Sequence, residues 1–232
     1  MRMRRKKHLD ERMNAVSDII LAVENSEFFE KAESERYEPI DFFKVFGNSN
    51  PVELEIGCGK CGFISELAKR NRDVNYLAVE KLSNVLIVGA EEIKKQNLTN
   101  VKLLNVSAEN LKCYLPIKSV EKIYLNFSCP YPKGSYKNRR LTNPRFLELY
   151  KSVLKPDGCV FQKTDNMHFF EYSVESFSSC GYVLENVNLD LYKSDFEGNI
   201  PTEYEKKFSA MGLPIYRLEA YLKNDNDKKE QN

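Results

Sequence analysis

Val52-Glu53-Leu54-Glu55-Ile56-Gly57-Cys58-Gly59-Lys60-Cys61-Gly62 is the stretch on which the reading of this 232-residue chain turns. An apolar, strand-like run carries a carboxylate near its end and breaks into a Gly-x-Gly turn. The turn opens directly into the helical pattern Phe63-Ile64-Ser65-Glu66-Leu67-Ala68-Lys69. Glycines at such a turn let the backbone reverse sharply and let a ligand lie against bare main chain. Strand, glycine turn and helix together make the first crossover of a nucleotide-binding α/β domain. Gly57, Gly59 and Gly62 satisfy G-x-G-x-x-G, a spacing that serves dinucleotides and other ligands alike. Two acids shift the balance away from a dinucleotide. Glu80 ends the next strand, where a carboxylate accepts from both ribose hydroxyls. Glu55 precedes the glycines, where an acid suits an ammonium group rather than a phosphate.

Outward from this stretch, strands and helices alternate, the pattern of a parallel sheet covered on both faces. Strands are expected at Val74–Val79, Val101–Val106, Val120–Phe127, Gly158–Lys163, 182–192 and 214–222. Helices are expected over 84–96, 143–154 and 167–179, with Pro144 in the first turn of the second and Lys155-Pro156-Asp157-Gly158 as its stop. Five α/β repeats closing in a strand pair predict an α/β fold with a mostly parallel seven-stranded sheet, helices on both faces and an antiparallel terminal strand. The order E-x-G-x-G, with a second acid at Glu80, resembles the S-adenosylmethionine motif of class I methyltransferases, and the layout resembles their Rossmann-like fold.

Composition bounds the function classes. The length suits one α/β domain with a sizeable core, and 42% hydrophobic with 30% charged residues is ordinary for a soluble globular protein. No run of about 18 apolar residues supports a membrane span, and the basic N-terminus lacks the apolar core of a signal peptide. Cysteines 58, 61, 113, 129, 159 and 180 are scattered and read as reduced thiols of a cytoplasmic protein. Cys58 and Cys61 are formally C-x-x-C, but no second pair or histidine cluster follows, so no metal site is expected. The net charge of +1 hides an uneven distribution. Residues 1–7 form a basic arm with Arg2, Arg4 and Arg5, and Lys133, Lys137, Arg139, Arg140 and Arg145 form a second cluster interleaved with Tyr131 and Tyr136. Residues 24–38 between them are acid-rich. Either basic cluster alone reads as solvated surface; two together fit a polyanion met on one face. Residues 1–35 are expected as a basic arm and helix, 36–222 as the α/β domain, and 223–232 as a disordered polar tail.

Three further constellations stand at the carboxyl ends of strands, where open α/β sheets bind ligands. Asn126-Phe127-Ser128-Cys129-Pro130-Tyr131-Pro132-Lys133 is a proline-stiffened loop offering an aromatic face on which a base can stack. Lys163-Thr164-Asp165-Asn166 supplies an acceptor and an amide, although capping of the helix that begins near Met167 also accounts for it. Pro201-Thr202-Glu203-Tyr204-Glu205 has a wholly structural explanation as a capping box from Thr202 to Glu205.

Together these segments resemble the bacterial tRNA (guanine-N7)-methyltransferase family. The resemblance rests on Leu54-Glu-Ile-Gly-x-Gly-Lys60, Tyr124-Leu-Asn-Phe-Ser-x-Pro130, Arg139-Arg-Leu-Thr-x-x-Arg-Phe-Leu147, Phe161-x-Lys-Thr-Asp-Asn166, Asn199-Ile-Pro-Thr-Glu-Tyr-Glu-x-Lys-Phe-Ser209 and Pro214-Ile-Tyr-Arg217, in order over nearly the whole chain. It implies methylation of N7 of the variable-loop guanine in tRNA, with S-adenosyl-L-methionine as methyl donor. It further implies that Glu55, Gly57, Gly59, Glu80, Ser107 and the position of Cys129 line the donor site. Lys133, Asp165, Thr202, Glu203, Tyr204 and Glu205 would face the tRNA, and Arg2, Arg4, Arg5, Arg139 and Arg140 its phosphates. Monomer and homodimer both remain open.

Two positions depart from the family pattern. Where the family loop reads Ser-Asp-Pro-Trp-Pro, with that aspartate taken as catalytic, this chain has Cys129 and Tyr131; where the family has Asp or Asn after the third strand, it has Ser107, with Glu109 nearby. The reaction limits the consequence. Guanine N7 carries an in-plane lone pair and no proton, so direct in-line transfer needs no general base. Holding N7 in line with the methyl group and leaving sulfur contributes up to about 7–11 kcal/mol. A carboxylate holding the guanine edge or the donor ammonium contributes about 1.5–3 kcal/mol, so its loss costs about 10- to 200-fold in rate. Asp165, Glu203 or Glu205 can carry part of that role, and Cys129 reads as an inert thiol rather than a nucleophile. The rival reading is a tRNA-binding protein that has lost catalysis.

Overall fold

A computed structural model of the chain describes residues 4–23 and 39–222; Arg2, the acid-rich run 24–38 and the tail 223–232 lie outside the described residues. The chain divides into two compact units, one ending at Pro116 and the other beginning at Ile117.

The first unit contains α1 (Leu9–Ala15), β1 (Ile20–Val23), α2 (Phe42–Phe46), β2 (Val52–Ile56), α3 (Gly62–Arg70), β3 (Asn75–Val79), α4 (Ser83–Lys95), β4 (Val101–Asn105) and α5 (Leu111–Tyr114). Its strands lie in the order β1-β4-β3-β2, all parallel, with Leu54 beside Leu77 and Ile56 beside Val79. Every residue of β2 and β3 is buried, as expected for parallel strands covered on both faces. Phe63, Ile64 and Ala68 of α3 and Leu86, Ile87, Ala90 and Ile93 of α4 recur at helical spacing and are buried. Removing each of the leucine, isoleucine and phenylalanine side chains from water contributes about 1.5–3 kcal/mol, and each alanine methyl about 0.8 kcal/mol.

β1 was not among the expected strands. Residues 17–23 had been read as part of a basic arm and helix, yet Ile20–Val23 pairs in parallel with β4 and adds an eighth strand to the seven expected. Helix α1 packs with α4, and Arg12 donates two hydrogen bonds of 2.6 Å to the Glu91 carboxylate. Residues 4–7 are exposed but tethered: the Lys6 N–H donates to Asn84 Oδ1 at 2.9 Å, and Asn84 Nδ2 donates to the Arg4 carbonyl at 3.3 Å.

The second unit contains β5 (Val120–Asn126), α6 (Pro144–Val153), β6 (Leu154–Thr164), α7 (Met167–Ser179), β7 (Tyr182–Asn188), α8 (Glu203–Ser209) and β8 (Tyr216–Leu222). β5 and β6 are parallel, and β8 inserts antiparallel between β6 and β7. Asn143 caps α6, accepting the Arg145 N–H at 3.2 Å, with Pro144 as the first helical residue. Lys155-Pro-Asp-Gly158, expected as the stop of this helix, follows its end at Val153 and lies inside β6 as an irregularity. β5 advances from Val120 to Lys122 while β6 advances from Leu154 to Cys159. Among the described residues no helix is long and apolar enough to cross a membrane.

Candidate active site

In the first unit, chemistry collects where β2 and β3 end. Gly57 and Gly59 have φ of +80° and +57°, the left-handed region that side chains disfavour. The N–H groups of Gly57 and Cys58 both donate to the Val79 carbonyl, at 2.8 and 3.0 Å, fastening the turn to β3. A Cβ placed on Gly57, Gly59 or Gly62 meets nothing within 4 Å, so the turn borders open space. Its other side is closed: a Cβ on Gly89 of α4 would lie 2.6 Å from Cys61 Sγ and 2.7 Å from the Lys60 carbonyl. Glycine at position 89 is what lets α4 press against the loop.

Two carboxylates flank this turn. Glu80 spans it, accepting the Gly59 N–H at 3.3 Å through Oε2 and the Leu82 N–H at 2.9 Å through Oε1. Asn105, which the sequence reading did not single out, donates to the Glu80 carbonyl at 2.7 Å and accepts from Ser83 Oγ at 2.6 Å. Glu55 is 2% exposed at the end of β2. Burial, Cys61, Glu55 and Glu80 together push the Cys58 thiol well above its ordinary pKa, so at neutral pH it stays protonated beside Cys61, 3.6 Å away. Ser107 follows β4 and opens the 3-10 turn Ala108–Asn110. A cradle of bare main chain, with a buried acid on one side and a ribose-suited acid on the other, fits an adenosyl amino acid better than a diphosphate. The kinds of residue present at this turn therefore fit S-adenosylmethionine.

In the second unit, three segments far apart in sequence converge. The loop after β5 has left-handed backbone at Phe127 (φ +50°) and Tyr131 (φ +40°), either side of Ser128-Cys129-Pro130. Such strain persists only where surrounding contacts hold it, and at the Tyr131 end Arg140 supplies them. Its Nε donates to the Pro130 carbonyl at 2.8 Å, a terminal nitrogen donates to the Tyr131 carbonyl at 3.1 Å, and the guanidinium lies 4.4 Å over the Tyr172 ring. Arg140, expected at phosphate, thus has its guanidinium engaged within the chain. Arg139 lies 4.8 Å over the exposed Tyr136 ring, and Lys133 is exposed at the start of the 3-10 turn Gly134–Arg139. Arg5 is also exposed, paired with Asp10 at 2.5 Å.

Asn166 caps α7, accepting the Phe169 N–H at 2.8 Å, so the capping explanation holds for the amide but leaves the half-buried Asp165 to other work. Thr202 and Glu205 form the expected capping box on α8. Glu205 is fully buried, with Lys163, Tyr192 and Asn199 around its carboxylate, whereas Glu203 and Tyr204 are exposed. Direct contact with a substrate is therefore open to Glu203 and Tyr204 but not to Glu205.

Tyr204 stacks on Phe208 at 4.4 Å and meets Phe127 at 5.5 Å. Partial burial, the Asp165 carboxylate and the Cys129 thiol hold its phenol above the ordinary tyrosine pKa. Cys129, Asp165 and Tyr204 therefore share one neighbourhood. Phe127 of the loop expected to offer an aromatic face joins Tyr204 and Phe208 in one aromatic surface. Phe127 and Lys163 were present in the quoted motifs but passed as strand ends, while Tyr192 carried no local signal.

The profile of the family described as "Putative methyltransferase" matches residues 49–218. The tRNA (guanine-N(7)-)-methyltransferase of Bacillus licheniformis is 46% identical over 220 residues, covering 95% of this chain and 98% of that one. Its counterpart in Bacillus subtilis is 48% identical over 175 residues, 75% of this chain and 82% of that one. Among solved structures, the 16S rRNA methyltransferase KamB superposes with a TM-score of 0.59 at 16% identity over 81% of this chain and 95% of that one, a likeness of fold. The chain belongs to the tRNA (guanine-N(7)-)-methyltransferase family.

Proposed function

We propose that this chain transfers a methyl group from S-adenosyl-L-methionine to N7 of the variable-loop guanine of tRNA, in the cytoplasm. One observation carries the reading: the likeness to enzymes of that name extends over nearly the whole chain, so the donor cradle and the acceptor segments are inherited together. The rival reading, a tRNA-binding protein without catalysis, finds no support in the comparisons, and the glycine turn keeps both of its acids.

The donor supplies an electrophilic methyl group on a sulfonium. Glu80 would accept from the ribose hydroxyls, Glu55 would offset the ammonium, and the Gly57–Gly59 backbone would bear on the amino-acid portion. The purine lies against Tyr204 and Phe127, since an unstacked base finds its best partner in an aromatic face. Asp165 holds the N1–H/N2–H edge of the guanine. No residue moves a proton, because N7 carries none. Lys133, Arg139, Arg4 and Arg5 meet phosphates, with Arg2 beyond the described residues.

The test is transfer of a labelled methyl group to an unmodified tRNA transcript, mapped by cleavage specific for N7-methylguanosine. One modified guanine, in the variable loop, is expected. Absence of transfer alongside intact tRNA binding would return the rival reading.

A further inference from the structure

Lys163 stands at the end of β6 with its side chain 7% exposed. A buried ammonium is tolerated where its three donors are met, and here they are. It donates to Glu205 Oε2 at 2.6 Å, the Ile200 carbonyl at 2.9 Å and Asn199 Oδ1 at 3.1 Å. The receiving carboxylate also accepts from Asn199 Nδ2 at 2.6 Å, the Tyr192 hydroxyl at 3.1 Å and the Thr202 N–H at 3.3 Å. The main chain of the same lysine serves a different segment: its carbonyl accepts the Phe127 N–H at 2.8 Å.

Lys163 therefore grips both sides of the aromatic surface. Through its carbonyl it holds Phe127 in the left-handed backbone that opens the Cys129 loop. Through its ammonium it holds Glu205, and so the first turn of α8, which carries Tyr204. Stability alone explains this poorly, because apolar residues of similar volume commonly replace a buried ion pair without loss. A need for defined geometry explains it better.

We propose that Lys163 is a positioning residue for methyl transfer: without touching guanine or donor, it sets the placement of the Phe127–Tyr204 ring pair against which the acceptor guanine lies. This rests on the functional reading above. The geometry makes the demand plain, since Phe127 and Tyr204 come from segments more than seventy positions apart and meet across 5.5 Å. A ring displaced by about 1 Å is enough to cost about 100-fold in an in-line transfer.

The experiment compares the unsubstituted chain with Lys163→Met and with the double variant Lys163→Met/Glu205→Gln, which removes the carboxylate that the single variant would leave buried and uncompensated. Turnover on an unmodified tRNA transcript is counted per molecule that binds labelled S-adenosylmethionine, so unfolded protein does not enter the rate. Both variants are expected to lose about 30- to 100-fold in this turnover while their affinities for donor and tRNA stay within about threefold. Because the chain has no tryptophan, Tyr204→Trp gives a single reporter at the ring. Its emission is expected to be quenched by transcript carrying the variable-loop guanine, and the quenching to be lost when Lys163→Met is added. Where Lys163→Met alone binds no donor, the double variant decides. Transfer by the unsubstituted chain, with wild-type turnover and quenching in the Lys163 variants, overturns the positioning role alone. No transfer by the unsubstituted chain overturns the functional reading and this inference with it.

Discussion

The glycine turn proposed to cradle the donor and the aromatic surface proposed to receive the guanine are built by opposite means. The donor side is made largely of main chain from one contiguous stretch, Glu55–Gly62, with Glu80 reaching back onto it; its shape depends on left-handed glycines and the absence of side chains. The acceptor side is made of side chains from Phe127, Arg140, Lys163, Tyr192 and Tyr204–Glu205, held by buried charge and hydrogen bonds. Adding a single carbon should therefore break the first, while the second should yield to loss of a polar partner. On the proposed reading, that difference would let the acceptor loop keep its shape with Cys129 in place of an aspartate. A surface made from many segments can lose one carboxylate and keep its shape, whereas the cradle has no spare glycine.

The largest effect is expected at Gly59→Val. Strain in left-handed backbone costs about 1–3 kcal/mol, and the new side chain projects into the space beside the turn, so donor affinity should fall about 100-fold or more. Calorimetric titration with S-adenosylmethionine checks it, and near-native affinity would break the claim that the cradle is bare backbone.

Arg140→Ala comes next. Release of the Pro130 and Tyr131 carbonyls should lower kcat/KM about 10- to 100-fold through misplacement of the loop, with donor affinity unchanged. If tRNA binding weakened instead and its salt slope fell by about one, Arg140 would be the phosphate contact expected from sequence. Arg139→Ala should show that second behaviour, weakening tRNA binding uniformly across sequences and reducing the slope by about one.

Restoring a carboxylate sharpens the comparison further. Cys129→Asp should raise turnover by no more than about tenfold, the low end of one charge-assisted hydrogen bond, and Cys129→Ser should change it little. A collapse of activity in Cys129→Ser would identify the thiol as a participant.

The smallest effect concerns acid. In the second unit Arg217 pairs with Glu219, whose other oxygen accepts from Asn186 at 2.9 Å and Tyr221 at 2.8 Å. Burial opposes ionisation there, but these donors outweigh it and hold the carboxyl below its ordinary pKa. A lowered folded pKa means the unfolded chain binds the proton more readily. The stabilisation is thus present above the unfolded value of about 4.3 and disappears as pH falls through the lower folded value. Urea midpoints measured against pH should show that acid limb, and Glu219→Gln should flatten it.

Much of this was legible in order along the chain. The glycine turn, Glu55 and Glu80, the helix Met167–Ser179 and the Thr202–Glu205 capping box are local patterns, in which residue type and spacing already specify backbone geometry. The strand Ile20–Val23 was missed because a short apolar run beside a basic arm has no signature until β4 offers it an edge. The hydrogen bonds of Arg140 to the Pro130 and Tyr131 carbonyls left no local sign, because an arginine among basic residues looks the same whether it meets phosphate or two carbonyls. Residue type and spacing along the chain were enough for the alternating strands and helices, the glycine turn with its two acids, and the family. Only the tertiary structure decided that Glu205 turns inward, that Lys163 joins two distant loops, and that Phe127 and Tyr204 make the aromatic surface. The reason is physical: burial and hydrogen-bond partnership between residues dozens of positions apart leave no periodic trace in the chain, since they depend on which strand ends the sheet sets side by side.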